Sequence, residues 1–336
     1  MPSFVPLIET CRGEALENIH FGAVAVCDTQ GRVLASAGDP YWTTFTRSAL
    51  KPLQALSFMQ SGGVRRLGFT PRDIALMCAS HSGELMHVEQ VQSMLDKAGV
   101  AYKRLRCGCH VPYYVEQGVG PVPEHVDERM HNCSGKHSGF LAHCTINGWP
   151  LDDYLDPASP LQQSVRSHVA QSSGLDESQL KMGIDGCSAP NYAMPLAALA
   201  RAYARLASGT RDAQFGESFA QMADAMKTFP ELVSGTRRSD NAFMRAGRGD
   251  WVTKVGAEGV QAFGSVSRGE AFAIKISDGN KPALFAATVE VLDQLGWLDD
   301  RQREELEPWR ARDIPNIRGE KVGERRPAFR LAASSR

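Results

Sequence analysis

The chain has 336 residues, 37 Lys and Arg against 38 Asp and Glu, a net charge of −1 and 43% hydrophobic residues. At roughly 150 residues per domain this allows about two domains or one large one, and a chain of this size buries about three quarters of its unfolded surface without disulfides or metals. No basic run exceeds two residues, as at Arg325-Arg326, so nothing neutralises a phosphate backbone; nucleic acid is excluded as the main partner and a small molecule is expected.

The first twenty residues lack a basic start and a continuous apolar stretch, so no secretory leader is expected. Nothing approaches 18 consecutive apolar residues, so no membrane span is expected. A cytoplasmic protein follows, in which the eight Cys stay thiols and clustered ones are candidates for metal or catalysis.

Residues 21–27 and 32–37 are β-rich runs around the turn Asp28-Thr-Gln-Gly31 and predict a hairpin. Ser48-Ala-Leu-Lys51 follows. In a Ser-x-x-Lys element the two side chains share one helical face, and a neutral lysine can take the serine proton as the hydroxyl attacks a carbonyl. Ser178-Gln-Leu-Lys181 is a second copy, set in polar sequence. The first precedes the apolar stripe Leu53, Leu56 and Met59, where a helix enters the core. Pro52 places Ser48 and Lys51 on an irregular first turn or starts the regular helix itself; an ordinary helix cap is the plainer reading of Ser48.

Ser80-His81-Ser82-Gly83-Glu84 follows the apolar run 74–79 and gathers two hydroxyls, an imidazole and a carboxylate, or else caps the helix predicted over 86–98. Asn132-Cys133-Ser134-Gly135-Lys136-His137 and Asp185-Gly186-Cys187 hold two thiols, an imidazole and a carboxylate. They can make a zinc site, although no C-x-x-C knuckle exists and buried inert thiols are the alternative. Residues 194–207 and 213–228 are helical in pattern. Strands are predicted at 251–255, 260–266 and 271–276, then a helix over 282–295. Lys254 lies on the first of these strands in a Lys-x-Gly that Lys97, Lys181 and Lys321 share; its β setting would direct the ammonium to a cleft beside the sheet.

Strands at both ends and a helix-rich middle (48–240) predict an α+β fold: one domain over 1–330 whose antiparallel sheet is built from both termini, flanked by helices, with a helical lobe. The tail after 317 is expected to dock as extended backbone, with 331–336 disordered.

Ser-x-x-Lys, a Ser-x-Ser loop and a late Lys-x-Gly follow the layout of serine β-lactamase-like enzymes. Much more closely, the chain resembles the rhizobial-type (class 3) L-asparaginase family. The residues that carry this are Arg47-Ser48-Ala-Leu-Lys51-Pro52-Leu-Gln54, Cys78-Ala-Ser80-His81-Ser82-Gly83-Glu84, 132–137, Gly183-Ile-Asp185-Gly186-Cys187-Ser-Ala-Pro190 and Lys254-Val-Gly256-Ala-Glu258-Gly259. The resemblance implies a serine β-lactamase-like fold and hydrolysis of L-asparagine to L-aspartate and ammonia. It implies Ser48 as nucleophile, Lys51 as its base, and Ser80 with Lys254 as a second Ser-Lys pair, Lys275 being another lysine nearby. It also implies zinc held by Cys133, Lys136 and Cys187 with Asp185 close by, and a homodimer. Arg47, Asn132 and His81 are the candidates for substrate contacts. The competing readings are a glutaminase, a penicillin-interactive acyl-serine hydrolase, and a non-catalytic zinc- or amino-acid-binding protein of the same fold.

Overall fold

The computed structural model describes residues 3–334. Its twelve described strands are β1 (Val5–Arg12), β2 (Ala15–Asp28), β3 (Val33–Ala37), β4 (Thr43–Phe45), β5 (Lys181–Ile184), β6 (Pro190–Pro195), β7 (Trp251–Gly256), β8 (Val260–Ser265), β9 (Glu270–Ile276), β10 (Asp313–Pro315), β11 (Lys321–Pro327) and β12 (Ala332–Ala333). The large sheet runs β10-β11-β1-β2-β9-β8-β7, with β3 on β2 and β12 on β3. Every ladder in it is antiparallel. The fold is α+β, with a sheet assembled from both ends of the chain.

The 14-residue β2 makes the curl possible. Its first half pairs with β1 (Ile19 opposite Glu9), and its second half pairs with β9 (Ala25 opposite Ala273) and with β3. Alternation along the strands then sorts two cores. Ala23, Ala25 and Cys27 face the helical lobe together with Ala262, Ala271 and Ala273. Val24, Val26, Phe263, Phe272 and Ile274 face the opposite side, against the helices Lys281–Gln294 and Asp300–Arg310. There Phe263 and Phe272 sit opposite each other on neighbouring strands and stack at 5.0 Å.

The small-residue face has a specific partner. Helix Leu196–Ser208 (LAALARAYARLAS) is buried along almost its whole length, and its alanines let its backbone approach the sheet. A methyl group added at Gly264 would lie 2.7 Å from the carbonyl oxygen of Tyr203. Close packing at this density leaves no room for larger side chains.

The predicted helices occur as Leu85–Ala98, Leu196–Ser208, Gly216–Thr228 and Lys281–Gln294. Several expectations are corrected. The N-terminal hairpin is the end of a longer meander, because Ala15–His20 are too polar in pattern to read as a strand until β1 is there to pair with them. The helix-rich middle contains a second sheet, β4-β6-β5, of strands too short to give a periodic signal. The tail docks as extended backbone, as expected, with β11 on β1; the order extends further than expected, because Ala332 and Ala333 pair with Ser36 and Ala35. Of the segment expected to be disordered, residues 335 and 336 lie outside the described residues.

Candidate functional site

The chain from Thr46 to Gln60 answers the ambiguity around Pro52. Arg47–Leu50 form a 3₁₀ turn and Lys51–Gln60 a regular helix, so the proline occupies the first helical turn, where its missing N–H costs nothing. Arg47, directly before Ser48, has a φ of 48°, a conformation that costs a non-glycine residue of order 1–3 kcal/mol and persists only when its surroundings impose it. Those surroundings are visible. The Asn191 amide brackets the residue, its Oδ1 accepting from the Arg47 N–H at 3.0 Å and its Nδ2 donating to the Arg47 carbonyl at 3.0 Å. Thr46 Oγ1 donates to the Tyr192 carbonyl at 2.9 Å and Tyr203 Oη to the Ala49 carbonyl at 2.7 Å. From below, Gly256 ends β7 against this turn: a methyl group there would lie 2.6 Å from the Thr46 carbonyl oxygen and 3.3 Å from the Ser48 nitrogen. Lys-x-Gly is thus informative at 254–256, because only glycine lets the strand meet the turn.

Ser48 lines a cleft of about 330 Å³ together with Ser80, Tyr113, Glu116, Asn132, Arg238, Gly256 and Glu258 among others. Lys51, 1% exposed, lies beneath. Its Nζ reaches the Ala79 carbonyl at 2.6 Å, Ser80 Oγ at 2.8 Å and the Asn132 carbonyl at 3.3 Å. Burial pushes its pKa down, the two thiols Cys133 and Cys187 oppose that, and Lys136 adds to it. Two of its three partners are carbonyls, which can only accept. A neutral Lys51 therefore uses its two N–H bonds on them and presents its lone pair to the Ser80 hydroxyl.

Lys254 is placed differently from expectation. Its Nζ lies 2.7 Å from Asp240 Oδ2, both side chains fully buried, and 3.0 Å from the Val255 carbonyl. Asp240 also accepts from the Val255 N–H at 2.9 Å and from Gln261. The hydroxyl of Ser80 is engaged by Lys51, and Lys254 by Asp240, so the expected Ser80–Lys254 pair is replaced by two separate pairs. Burial, partly offset by Asp240 and reinforced by Lys51, brings Lys254 to about 8. Lys275 is held by the backbone carbonyls of Glu258 and Ile276.

The expected substrate contacts separate as well. Asn132 lines the cleft. Arg47 does not, because its guanidinium is bound to Asp185 at 2.8 Å. His81 is fully buried: Nδ1 accepts from the Gly83 N–H at 3.2 Å, Nε2 faces Ser134 Oγ at 2.9 Å, and the ring stacks on His87 at 4.8 Å. It shapes the 80–84 loop from behind. That loop is no side-chain cap either, since the N-cap of the following helix is Glu84, without a capping side-chain bond. In the second Ser-x-x-Lys, at 178–181, both Ser178 and Lys181 are exposed.

Cys133, Lys136 and Cys187 converge behind Lys51. Lys136 Nζ is 3.1 Å from Cys187 Sγ. Cys187 is held well below the usual thiol range by the neighbouring Cys133 thiol and, against burial, by Lys136. Lys136 is raised, its burial outweighed by Cys187, Cys133 and Asp185. His137 Nδ1 lies 2.8 Å from Tyr154 Oη, while its buried Nε2 has no hydrogen-bond partner. Among the described residues no three His, Cys, Asp or Glu side chains group as metal ligands; this cluster has two sulfurs, an amine and an orphaned imidazole nitrogen. Of the remaining thiols Cys109 is exposed, and Cys11, Cys27, Cys78, Cys107 and Cys144 are buried.

Asn191, Tyr113, Arg238 and Asp240 carry no motif by which sequence would single them out. Only Asn191 had a neighbouring signal, the Gly183–Pro190 block that it directly follows.

A cleft holding two serines over a buried lysine is hydrolase architecture, and the comparison with known families agrees. The family model described as L-asparaginase II matches residues 8–327, and the chain belongs to that family: it is an asparaginase-type amidohydrolase with a small-molecule substrate. No curated protein matches it. Among solved structures it is similar to a β-lactamase from Mycobacterium bovis, at 17% identity and a TM-score of 0.44, over 81% of this chain and 94% of that one. No helix among the described residues is long and apolar enough to cross a membrane.

Proposed function

We propose that this amidohydrolase converts L-asparagine to L-aspartate and ammonia through an acyl-enzyme on Ser48. The observation that carries the reading is the imposed turn at Arg47: a strained residue, clamped by Asn191 and backed by Gly256, sets Ser48 at the cleft edge of a helix start. Of the first N–H groups of this turn, that of Arg47 is taken by Asn191 and that of Ala49 by the Thr46 carbonyl, which leaves the Ser48 N–H to hold a developing oxyanion.

In this scheme Ser48 Oγ bonds to the amide carbon of the substrate. Its proton passes through the Ser80 hydroxyl to Lys51, whose N–H bonds to Ala79 and Asn132 leave the lone pair on the Ser80 side. Lys51 returns the proton through Ser80 to the departing nitrogen, and ammonia leaves. Water then attacks the ester by the same proton route, releasing L-aspartate. Lys254 with Asp240 stands behind this chain as a fixed charge pair. The donor set of Cys133, Lys136 and Cys187 fits zinc, a soft-ligand metal, with Asp185 close by. When bound, zinc supplies a positive charge beside the cleft. Assembly as a homodimer in the cytoplasm completes the proposal.

A second reading has its own observation: Ser80, not Ser48, is the hydroxyl within hydrogen-bonding distance of a lysine, and could itself attack. Ammonia release from L-asparagine and L-glutamine should be measured side by side with the colour change on ring opening of a chromogenic β-lactam. The proposal expects asparagine turnover well above the other two, reduced at least about 1,000-fold by Ser48→Ala, since removing a nucleophile costs several powers of ten. Unchanged turnover in Ser48→Ala contradicts it. Release of ammonia from no amide, with zinc or ligand still bound, would favour a binding protein.

A further inference from the structure

Arg238 is the one large charged side chain on the cleft wall for which burial and pairing disagree. It precedes helix Ser239–Ala246, and its backbone carbonyl accepts from the Ala242 N–H at 3.1 Å, which fixes its base. Its guanidinium carbon lies 5.2 Å from the centroid of the Tyr113 ring. Among the described residues it has neither an ion pair nor a side-chain hydrogen bond. The residue is half-buried, and desolvation pushes its pKa down against the pull of Asp240, Tyr113 and Glu116. Asp240 is already committed to Lys254, the Val255 N–H and Gln261. The other cations of the wall need no such partner: Lys281 is exposed, and Arg237 is exposed and donates to the carbonyls of Gln117 and Gly118.

A half-buried guanidinium with no acceptor of its own has donors to offer on its cleft side, and its planar fork matches a carboxylate through two parallel hydrogen bonds. Stacking on an aromatic face leaves the fork edge free. We infer that Arg238 binds the α-carboxylate of the substrate in the cleft of Ser48 and Ser80. The role expected of Arg47 thereby falls to Arg238, because Asp185 has already neutralised Arg47. The contact also serves selection by length: with the amide carbon at the serines, the α-carboxylate of glutamine stands one methylene further along than that of asparagine.

The inference rests on the asparaginase reading, and two measurements separate them. The first compares kcat/KM for L-asparagine with that for 3-aminopropanamide, which keeps the amide and the amine and lacks the α-carboxylate. In Arg238→Met the ratio should fall by about 10- to 100-fold, the worth of a charge-assisted contact, with partial recovery in Arg238→Lys. A purely structural role lowers both substrates together, and an unchanged ratio overturns the inference. The second is calorimetric titration of the unaltered protein with L-aspartate and β-alanine, which needs no turnover and no folded variant. L-Aspartate should bind at least about 10-fold more tightly, and equal binding overturns the inference whether or not ammonia is released. Tighter aspartate binding without ammonia release upholds the carboxylate site and sinks the asparaginase reading alone.

Discussion

Three lysines, Lys51, Lys136 and Lys254, are at most 2% exposed, and each is tolerated for a different reason. Lys136 faces the sulfur of Cys187, Lys51 faces carbonyls and a hydroxyl, and Lys254 faces a carboxylate in a fully buried ion pair. Lys254 gives a pH dependence whose sign follows from its depressed pKa. Below about 8 the amine carries its proton in both the folded and the unfolded chain, and the cost of burying it is present in full. Between about 8 and the ordinary lysine value of about 10.4 the unfolded chain binds more protons, so stability rises with pH. Urea unfolding of the native protein and of Lys254→Met at pH 7.5, 9 and 10 should show the native protein gaining on the variant as pH rises. Parallel profiles would show that Lys254 does not titrate in this window. At this scale the sequence singled out Ser48 and Lys51, and the fold sets the first on the cleft wall and the second buried beneath it. The sequence was misleading for Arg47 and His81, whose side chains are consumed by Asp185 and by Gly83 with Ser134, partners that only the fold brings near.

Among the elements, helix Leu196–Ser208 connects packing to the site. Its alanines rest on Ala262, Ala271 and Ala273, and from the same helix Tyr203 reaches the Ala49 carbonyl in the turn that carries Ser48. A larger side chain beneath it must lift the helix. Gly264→Val is expected to destabilise the protein by about 1–3 kcal/mol, as overpacking does, read as a lower midpoint in thermal or urea unfolding. An unchanged midpoint would mean that helix and sheet are not in the contact described. The long periodic helices and β7–β9 could be read from pattern because their apolar spacing is unbroken. The sheet β4-β6-β5 could not: β4 has three residues and β5 four, and what holds them is pairing with β6 from elsewhere in the chain, which local periodicity does not encode.

For the molecule as a whole, the sheet sets everything else in position. β2 from the N-terminal region lies beside β9, and β1 beside β11, so residues from 5 to 333 share one hydrogen-bonded layer. Both end regions of the described chain are thus structural parts of the layer that carries Gly256 to the Ser48 turn. Long-range antiparallel pairing of this kind was legible as strands at both ends of the sequence, while the order β11-β1-β2-β9 was not, because register depends on which faces the helices cover. The account's central claim is that the imposed turn makes Ser48 the attacking group and Ser80 its proton relay. Acid quenching during turnover of L-asparagine, followed by intact-mass and peptide mass spectrometry, tests it directly. An aspartyl ester on the peptide containing Ser48 is predicted, lost in Ser48→Ala and retained in Ser80→Ala once the slowed reaction is given time to accumulate it. An ester on Ser80 would contradict the claim.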